Sequence, residues 1–164
     1  MCRWRRDGYG GYLEGTLQCR VRPLTSRSGK ATAMSTAIFH MIAGAPQPVA
    51  PYSHAVETDG WVFLTGQIPN DPDDDRAPLP EGIEAQTRRV LDNLTLVLGG
   101  LGLGLDAIVS VRVFLTYFQE DYAPMNAVYG SYFPSERRPA RTCIGVTALA
   151  RGARIEIDGL ARRP

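Results

Sequence analysis

Near its C-terminus the chain sets a cation, a thiol and two carboxylates close together. They are Arg141 and Cys143 in Pro139-Ala140-Arg141-Thr142-Cys143-Ile144, then Glu156 and Asp158 in Ile155-Glu156-Ile157-Asp158. Arginine is permanently charged, and its planar fork of donors fits a carboxylate in two places at once. Pro139 cannot continue a helix and biases Arg138 toward extended backbone, so a strand is expected from Arg141. Alternation along it would put Arg141 and Cys143 on one face, with Thr142 and Ile144 on the other. By the same rule Glu156 and Asp158 share a face, opposite a buried pair, Ile155 and Ile157. A carboxylate on a half-buried strand near an arginine can move a proton or orient a water. The same two residue types also read as an Arg–Glu ion pair between neighbouring strands, and type alone does not choose.

The remainder of the chain must position these groups. Its 164 residues suit one domain with a sound core. The formal net charge of +1 gives no reason to expect a nucleic-acid or membrane-surface partner. Before Met34, seven Lys/Arg stand against Asp7 and Glu14, a net of +5, which leaves −4 for the rest. Of the cysteines Cys2, Cys19 and Cys143, only the last falls after Met34. A lone thiol forms no internal disulfide, and no paired cysteines have metal-ligand spacing, so a reducing, cytosolic setting is expected. The longest apolar run, Val90 to Leu105, is interrupted by Asp92, Asn93, Thr95 and glycines, which excludes a membrane span there.

Residues 1–33 lack helical or strand periodicity and are punctuated by glycine and proline. They have no apolar secretory core, and an Arg-rich, acid-poor leader also fits an organelle transit peptide. The expectation adopted is a disordered extension or a mis-assigned start, with the domain proper spanning 34–164. Seventeen arginines against one lysine suit a GC-rich coding sequence open to upstream over-extension.

Within 34–164, Ala37 to Ile42 reads as a short edge strand, and a Pro/Gly-rich loop runs from Gly44 to Pro51. Asp59-Gly60 between His54–Glu57 and Trp61–Thr65 is a hairpin signal. Asp71, Asp73 and Asp75 resemble a calcium loop, but Arg76 stands where its glycine belongs and Gly82 where its glutamate belongs. Gly82 to about Leu98 is the clearest helix, with Ile83, Val90, Leu91, Leu94 and Leu98 as an apolar stripe and Gly99-Gly100 as its stop. Gly100-Leu101-Gly102-Leu103-Gly104 follows a helix and lacks the third glycine, so it fails as a dinucleotide loop. Ala107 to Thr116 reads as a central strand, Asp121 to Phe133 as a second helix, and strands follow at Arg141–Val146 and Arg154–Leu160. The order β(ββ)αβαββ predicts an α+β fold, two helices on one mixed sheet.

Four stretches, in order, resemble the reactive intermediate deaminase (RidA/YjgF) family. They are Ala50-Pro51-Tyr52-Ser53-His54-Ala55; Thr65-Gly66-Gln67-Ile68-Pro69; Glu84-Ala85-Gln86-Thr87-Arg88 with Leu91-Asp92-Asn93-Leu94; and Pro139 to Cys143 with Ile155-Glu156-Ile157. The likeness covers about residues 37–161. It implies a chorismate-mutase-like fold assembled as a homotrimer with clefts between protomers. It also implies hydrolysis of small 2-imino acids (2-aminoacrylate or 2-iminopropanoate type) to 2-keto acids and ammonia, with no metal or organic cofactor. Under that resemblance Arg141 clamps the substrate carboxylate, and Glu156 handles the water and its proton. Tyr52 lines the cleft and offers its hydroxyl, and Thr65 with the Gly66 backbone completes the pocket. Cys143 supplies shape rather than a covalent step, since no histidine is placed to activate it.

Thr65 stands where many members have serine, Gly145 where active members often have glutamate, and Asp158 where a second glutamate is usual. Ser53 and His54 are strand neighbours on opposite faces and cannot form a nucleophile–base pair. His40 is expected to be structural, and Arg137-Arg138 a solvated pair. The alternative to an enzyme is a non-catalytic module on the same scaffold that binds 2-keto acids through Arg141. A ribonuclease is a third reading, opposed by the domain's negative charge and its lack of a basic stripe interleaved with aromatics.

Overall fold

The structure, a computed structural model, describes residues 36–164; the expected extension at 1–33 lies outside the described residues. Eight main elements follow one another: β1 (Ile38–His40), β2 (Ala55–Thr58), β3 (Trp61–Gln67), α1 (Ile83–Gly100), β4 (Ile108–Leu115), α2 (Phe118–Tyr132), β5 (Ala140–Gly145) and β6 (Ile155–Arg162). The strands form one sheet in the order β1-β2-β3-β6-β4-β5. All neighbouring pairs are antiparallel except β4 with β5. This is the α+β fold that the order of elements predicts, with both helices on one mixed sheet.

The local chemistry explains the turns. Asp59 and Gly60 both take positive φ, 50° and 75°, as a two-residue hairpin requires, and Thr58 lies opposite Trp61. The stop of α1 differs from expectation, because the helix runs through Gly99 and Gly100. Its left-handed residue is Gly102, at φ 70°. Gly102 N–H donates to the Gly99 carbonyl and Leu103 N–H to the Leu98 carbonyl, the paired bonds of a Schellman cap. The glycine run that fails as a nucleotide loop is thus a helix terminus. Gly100 is small because Ile42 packs on it; a Cβ there would sit 2.3 Å from the Ile42 Cγ2. Helix α2 starts earlier than Asp121, its first turn closed by Glu120 and Asp121 N–H groups on the Tyr117 carbonyl.

One face of the sheet carries the core. Val62, Leu64, Val111, Val113, Leu115, Ile155 and Ile157 pack against Val90, Leu91, Leu94, Val97 and Leu98 of α1 and Met125 and Tyr129 of α2. The stripe expected on α1 is buried throughout. Between its apolar residues lies Asn93, fully buried, whose amide donates to the Ile68 and Asn70 carbonyls and pins the loop after β3. Arg154 joins layers: its backbone N–H donates to Gln86 of α1, and its guanidinium holds Asp121 and Glu120 of α2.

Among the described residues the opposite face has no helix over it. Cross-strand partners share a face, so the register places Phe39, Val56, Phe63 and Leu160 in one row across it, and Glu156, Phe114 and Ile144 in another. Phe39 is 70% exposed, Phe63 51% and Ile144 45%. Among the described residues no helix is long and apolar enough to cross a membrane.

Candidate active site

The two parts of the C-terminal motif fall on different faces of the sheet. Arg141 pairs with Val111 and Cys143 with Val113, both core residues, so Arg141 and Cys143 point to the helix-covered side at the edge strand β5. Their shared face is as alternation predicts. Glu156 pairs with Phe114 and Asp158 with Arg112, on the open side. Strand β4 also lies between β5 and β6. The alternative of an Arg141–Glu156 ion pair between neighbouring strands is therefore overturned: the strands are consecutive in sequence but not adjacent, and the two side chains leave opposite faces.

On the covered side, Arg141, Arg138, Pro139, Asn126, Tyr129 and Gly130 line a cavity of about 370 Å³. The Arg141 guanidinium sits 4.7 Å from the Tyr129 ring centroid, a cation–π contact, and meets no carboxylate among the described residues. Other arginines differ: Arg89, Arg112, Arg154 and Arg163 each hold a carboxylate. A second hollow, of about 320 Å³ between Gln86, Tyr117, Glu120, Gly152 and Arg154, illustrates the contrast, since its arginine is already saturated by Glu120 and Asp121. Burial pushes the Cys143 thiol up, against a smaller opposing pull from Arg141, so the group stays a thiol at neutral pH. Burial likewise pushes Tyr129 up to about 12. Gly145 continues this face; a Cβ there would lie 3.2 Å from that of Phe118, so its small size lets Phe118 close over the end of β5.

On the open side, Thr65, Gly66 and Glu156 come together. The β3–β6 register shifts between Leu64, opposite Gly159, and Gln67, opposite Ile157. Thr65 and Gly66 thus face the single residue Asp158, a bulge that interrupts the ladder. Over that bulge lies the Glu156 carboxylate: a Cβ on Gly66 would be 2.0 Å from its Oε1. Among the described residues Glu156 makes no hydrogen bond or ion pair, and burial first, then the nearby Asp158 charge, raises its pKa. Asp158 itself is held by Arg112 through two hydrogen bonds. The Thr65 hydroxyl donates to the Ser53 carbonyl at 2.6 Å, which anchors the loop bearing Tyr52 to β3. The Tyr52 hydroxyl accepts from Val49 N–H at 3.1 Å and keeps its own proton for donation.

Neither histidine belongs to the site. His54 is buried, with Nδ1 accepting from Ile42 N–H at 2.8 Å and Nε2 donating to the Pro46 carbonyl at 2.9 Å. Both ring nitrogens are occupied, so it pairs with no nucleophile, as expected. His40 lies 3.4 Å from Glu57, which is held mainly by Arg163. Both residues of the Arg137-Arg138 pair are exposed, as expected; Arg137 faces Asp106 at 3.8 Å, and Arg138 also lines the Arg141 cavity. Sequence reasoning missed Asn126 and Arg138 as site residues and took Tyr129 for core alone. A signal was present, since Asn126 and Tyr129 are three apart on one helix face. Helix α2 is the crossover between parallel β4 and β5, so it must lie over the strand that it leads into.

The family model described as Endoribonuclease L-PSP matches residues 42–163. The chain belongs to that family, the RidA/YjgF family. It is 39% identical over 122 residues to a RutC family protein of Synechocystis sp., covering 74% of this chain and 93% of that one. It is 37% identical over 118 residues to the 3-aminoacrylate deaminase RutC of Acinetobacter baylyi, covering 72% and 91%. Its fold is similar to the crystal structure of E. coli TdcF with bound serine, at a TM-score of 0.70 and 30% identity, covering 77% of this chain and 99% of that one.

Proposed function

We propose that the protein is an enamine/imine deaminase that hydrolyses small 2-imino acids to 2-keto acids and ammonia. One observation carries the reading: among the described residues, the Arg141 guanidinium lines a cavity without a carboxylate partner, and the half-buried Glu156 carboxylate lies unpaired over a backbone bulge. The relative named as a 3-aminoacrylate deaminase and the serine-bound neighbour support it, because an amino-acid carboxylate is the group that an arginine fork fits.

The two halves complete one another between copies of the chain. The uncovered apolar face, bearing Phe39, Phe63 and Ile144, is the surface on which a homotrimer would close. Arg141 and Cys143 of one copy then meet Tyr52, Thr65, Gly66 and Glu156 of the next. Arg141 holds the substrate carboxylate by two hydrogen bonds and fixes C2 of the imine. Glu156 takes a proton from water as its oxygen bonds to C2, and the C=N electron pair moves to nitrogen. Glu156 returns that proton to the nitrogen, giving a carbinolamine; it then takes the proton of the new hydroxyl and passes it to the amino nitrogen, so that the C–N bond breaks and ammonia leaves as the C=O forms. The Tyr52 hydroxyl donates to the imine nitrogen or to the water.

The test generates an imine in place with an amino-acid oxidase and traps it with semicarbazide. The protein is expected to suppress semicarbazone formation, and Arg141→Ala to abolish that effect while the assembly elutes unchanged on sizing. Near-wild-type suppression by Arg141→Ala would sink the mechanism. The non-catalytic alternative separates at Glu156: a binding module holds 2-oxobutanoate alike as Glu156→Gln, and neither form turns over imine. Retention of RNA at low ionic strength would favour the ribonuclease reading instead.

A further inference from the structure

We propose that Arg138 is the second cation of a dianion site, so that the preferred substrates are 2-imino acids carrying a second, distal carboxylate; this rests on the role given above to Arg141. The cavity wall holds two guanidiniums, from Arg138 and Arg141, with the Asn126 amide and the Tyr129 phenol. No carboxylate lines it. Glu136, two residues before Arg138, is exposed and outside the lining; it accepts from the Ser135 hydroxyl and feels the Arg138 charge from solvent. Arg138 is extended, at φ −72° and ψ 128°, and rigid Pro139 separates it from the start of β5, so two cationic arms enter one hollow from either side of a fixed residue.

Tyr129 ties the two together. Its ring carries Arg141 at 4.7 Å, and both Arg141 and Arg138 act on its hydroxyl electrostatically. That hydroxyl is closed off in a residue only 5% exposed and finds no partner among the described residues. The Arg138 and Arg141 guanidiniums and the Asn126 amide can donate, and no lining residue is an anion. Two like charges facing one hollow repel each other. A single carboxylate neutralises one of them, and a dicarboxylate neutralises both with charge-assisted hydrogen bonds. A volume of about 370 Å³ lies within the roughly 300–1,000 Å³ range of small-molecule sites.

The experiment measures binding and turnover on the full chain. Calorimetry compares 2-oxoglutarate, 2-oxobutanoate and inorganic phosphate. Turnover compares imines generated from glutamate and aspartate with that from alanine. The dicarboxylic ligand is expected to bind about tenfold tighter than the monocarboxylic one, the worth of one charge-assisted bond. Arg138→Gln should collapse that ratio toward one, and Arg138→Lys should recover part of it. In turnover the same loss should fall on KM for the glutamate-derived imine rather than on kcat. Equal binding of both keto acids by the wild type would overturn the proposal, as would an unchanged ratio in Arg138→Gln, or phosphate displacing 2-oxoglutarate at equal concentration. The two readings fail separately. Dicarboxylate preference without imine turnover leaves the anion site standing and removes the deaminase. Hydrolysis of the alanine-derived imine, with no gain from a distal carboxylate, does the reverse.

Discussion

Glu156 is a carboxylate that the fold keeps uncomfortable. Burial and the Asp158 charge raise its pKa, and no donor among the described residues compensates. A raised folded-state value means that the ionised form is the disfavoured one. Stability is therefore lost as pH rises through that value and regained below the ordinary glutamate range. Glu156→Gln should raise Tm at pH 7 and leave it unchanged near pH 3, where the wild-type carboxyl is protonated in both states. The same variant should lower kcat by about 10²–10⁴-fold and remove the acid limb of the pH–rate profile, which in the wild type lies above the usual glutamate pKa. Gly66→Ala tests the same group through its neighbour. The new methyl must displace the end of a flexible side chain rather than backbone, so Tm should change little while activity falls steeply. Wild-type turnover by Gly66→Ala would mean that the position of Glu156 does not matter. At this scale the sequence was informative about type and parity: Arg141, Cys143, Glu156 and Asp158 face as alternation requires. It was silent on which strands are neighbours.

That silence belongs to the elements. All eight were legible, because each amphipathic segment has its own period and Asp59-Gly60 admits a hairpin. Pairing was not legible, since β5 and β6 follow one another in sequence yet sit on either side of β4. Local periodicity carries no information about such a crossover. The end of α1 shows a second limit. Gly99, Gly100, Gly102 and Gly104 are equally plausible stops by type, and the choice is made by which carbonyls the next N–H groups can reach, together with Ile42 from a distant loop. Gly102→Ala, at φ 70°, is expected to lower stability by about 1 kcal/mol or slightly more in denaturant titrations. At Gly99, helical and with open space around it, alanine should stabilise instead. Equal effects at the two positions would contradict the cap.

For the whole molecule, the two faces of the sheet have different tasks. The covered face is closed by α1 and α2 and tied by Arg154, whose partner Asp121 is buried at the layer boundary. The open face carries two apolar rows with the Arg112–Asp158 pair between them, and no helix covers it among the described residues. Composition made the first face legible as a core. It could not reveal the second, because an apolar residue turned to the partner side of a strand has the same periodicity as one turned to a helix.

The placement of β4 between β5 and β6 has a genetic corollary. On the proposed reading a copy lacking Arg141 still contributes an intact Glu156, and a copy lacking Glu156 still contributes an intact Arg141. Arg141→Ala and Glu156→Gln chains, each inactive alone, should regain activity when unfolded together and refolded as a mixture. Random assembly in a ring restores about one site in four. Two such defective alleles in one cell would then complement each other, whereas either one expressed beside the wild type would leave as many working sites as there are wild-type chains.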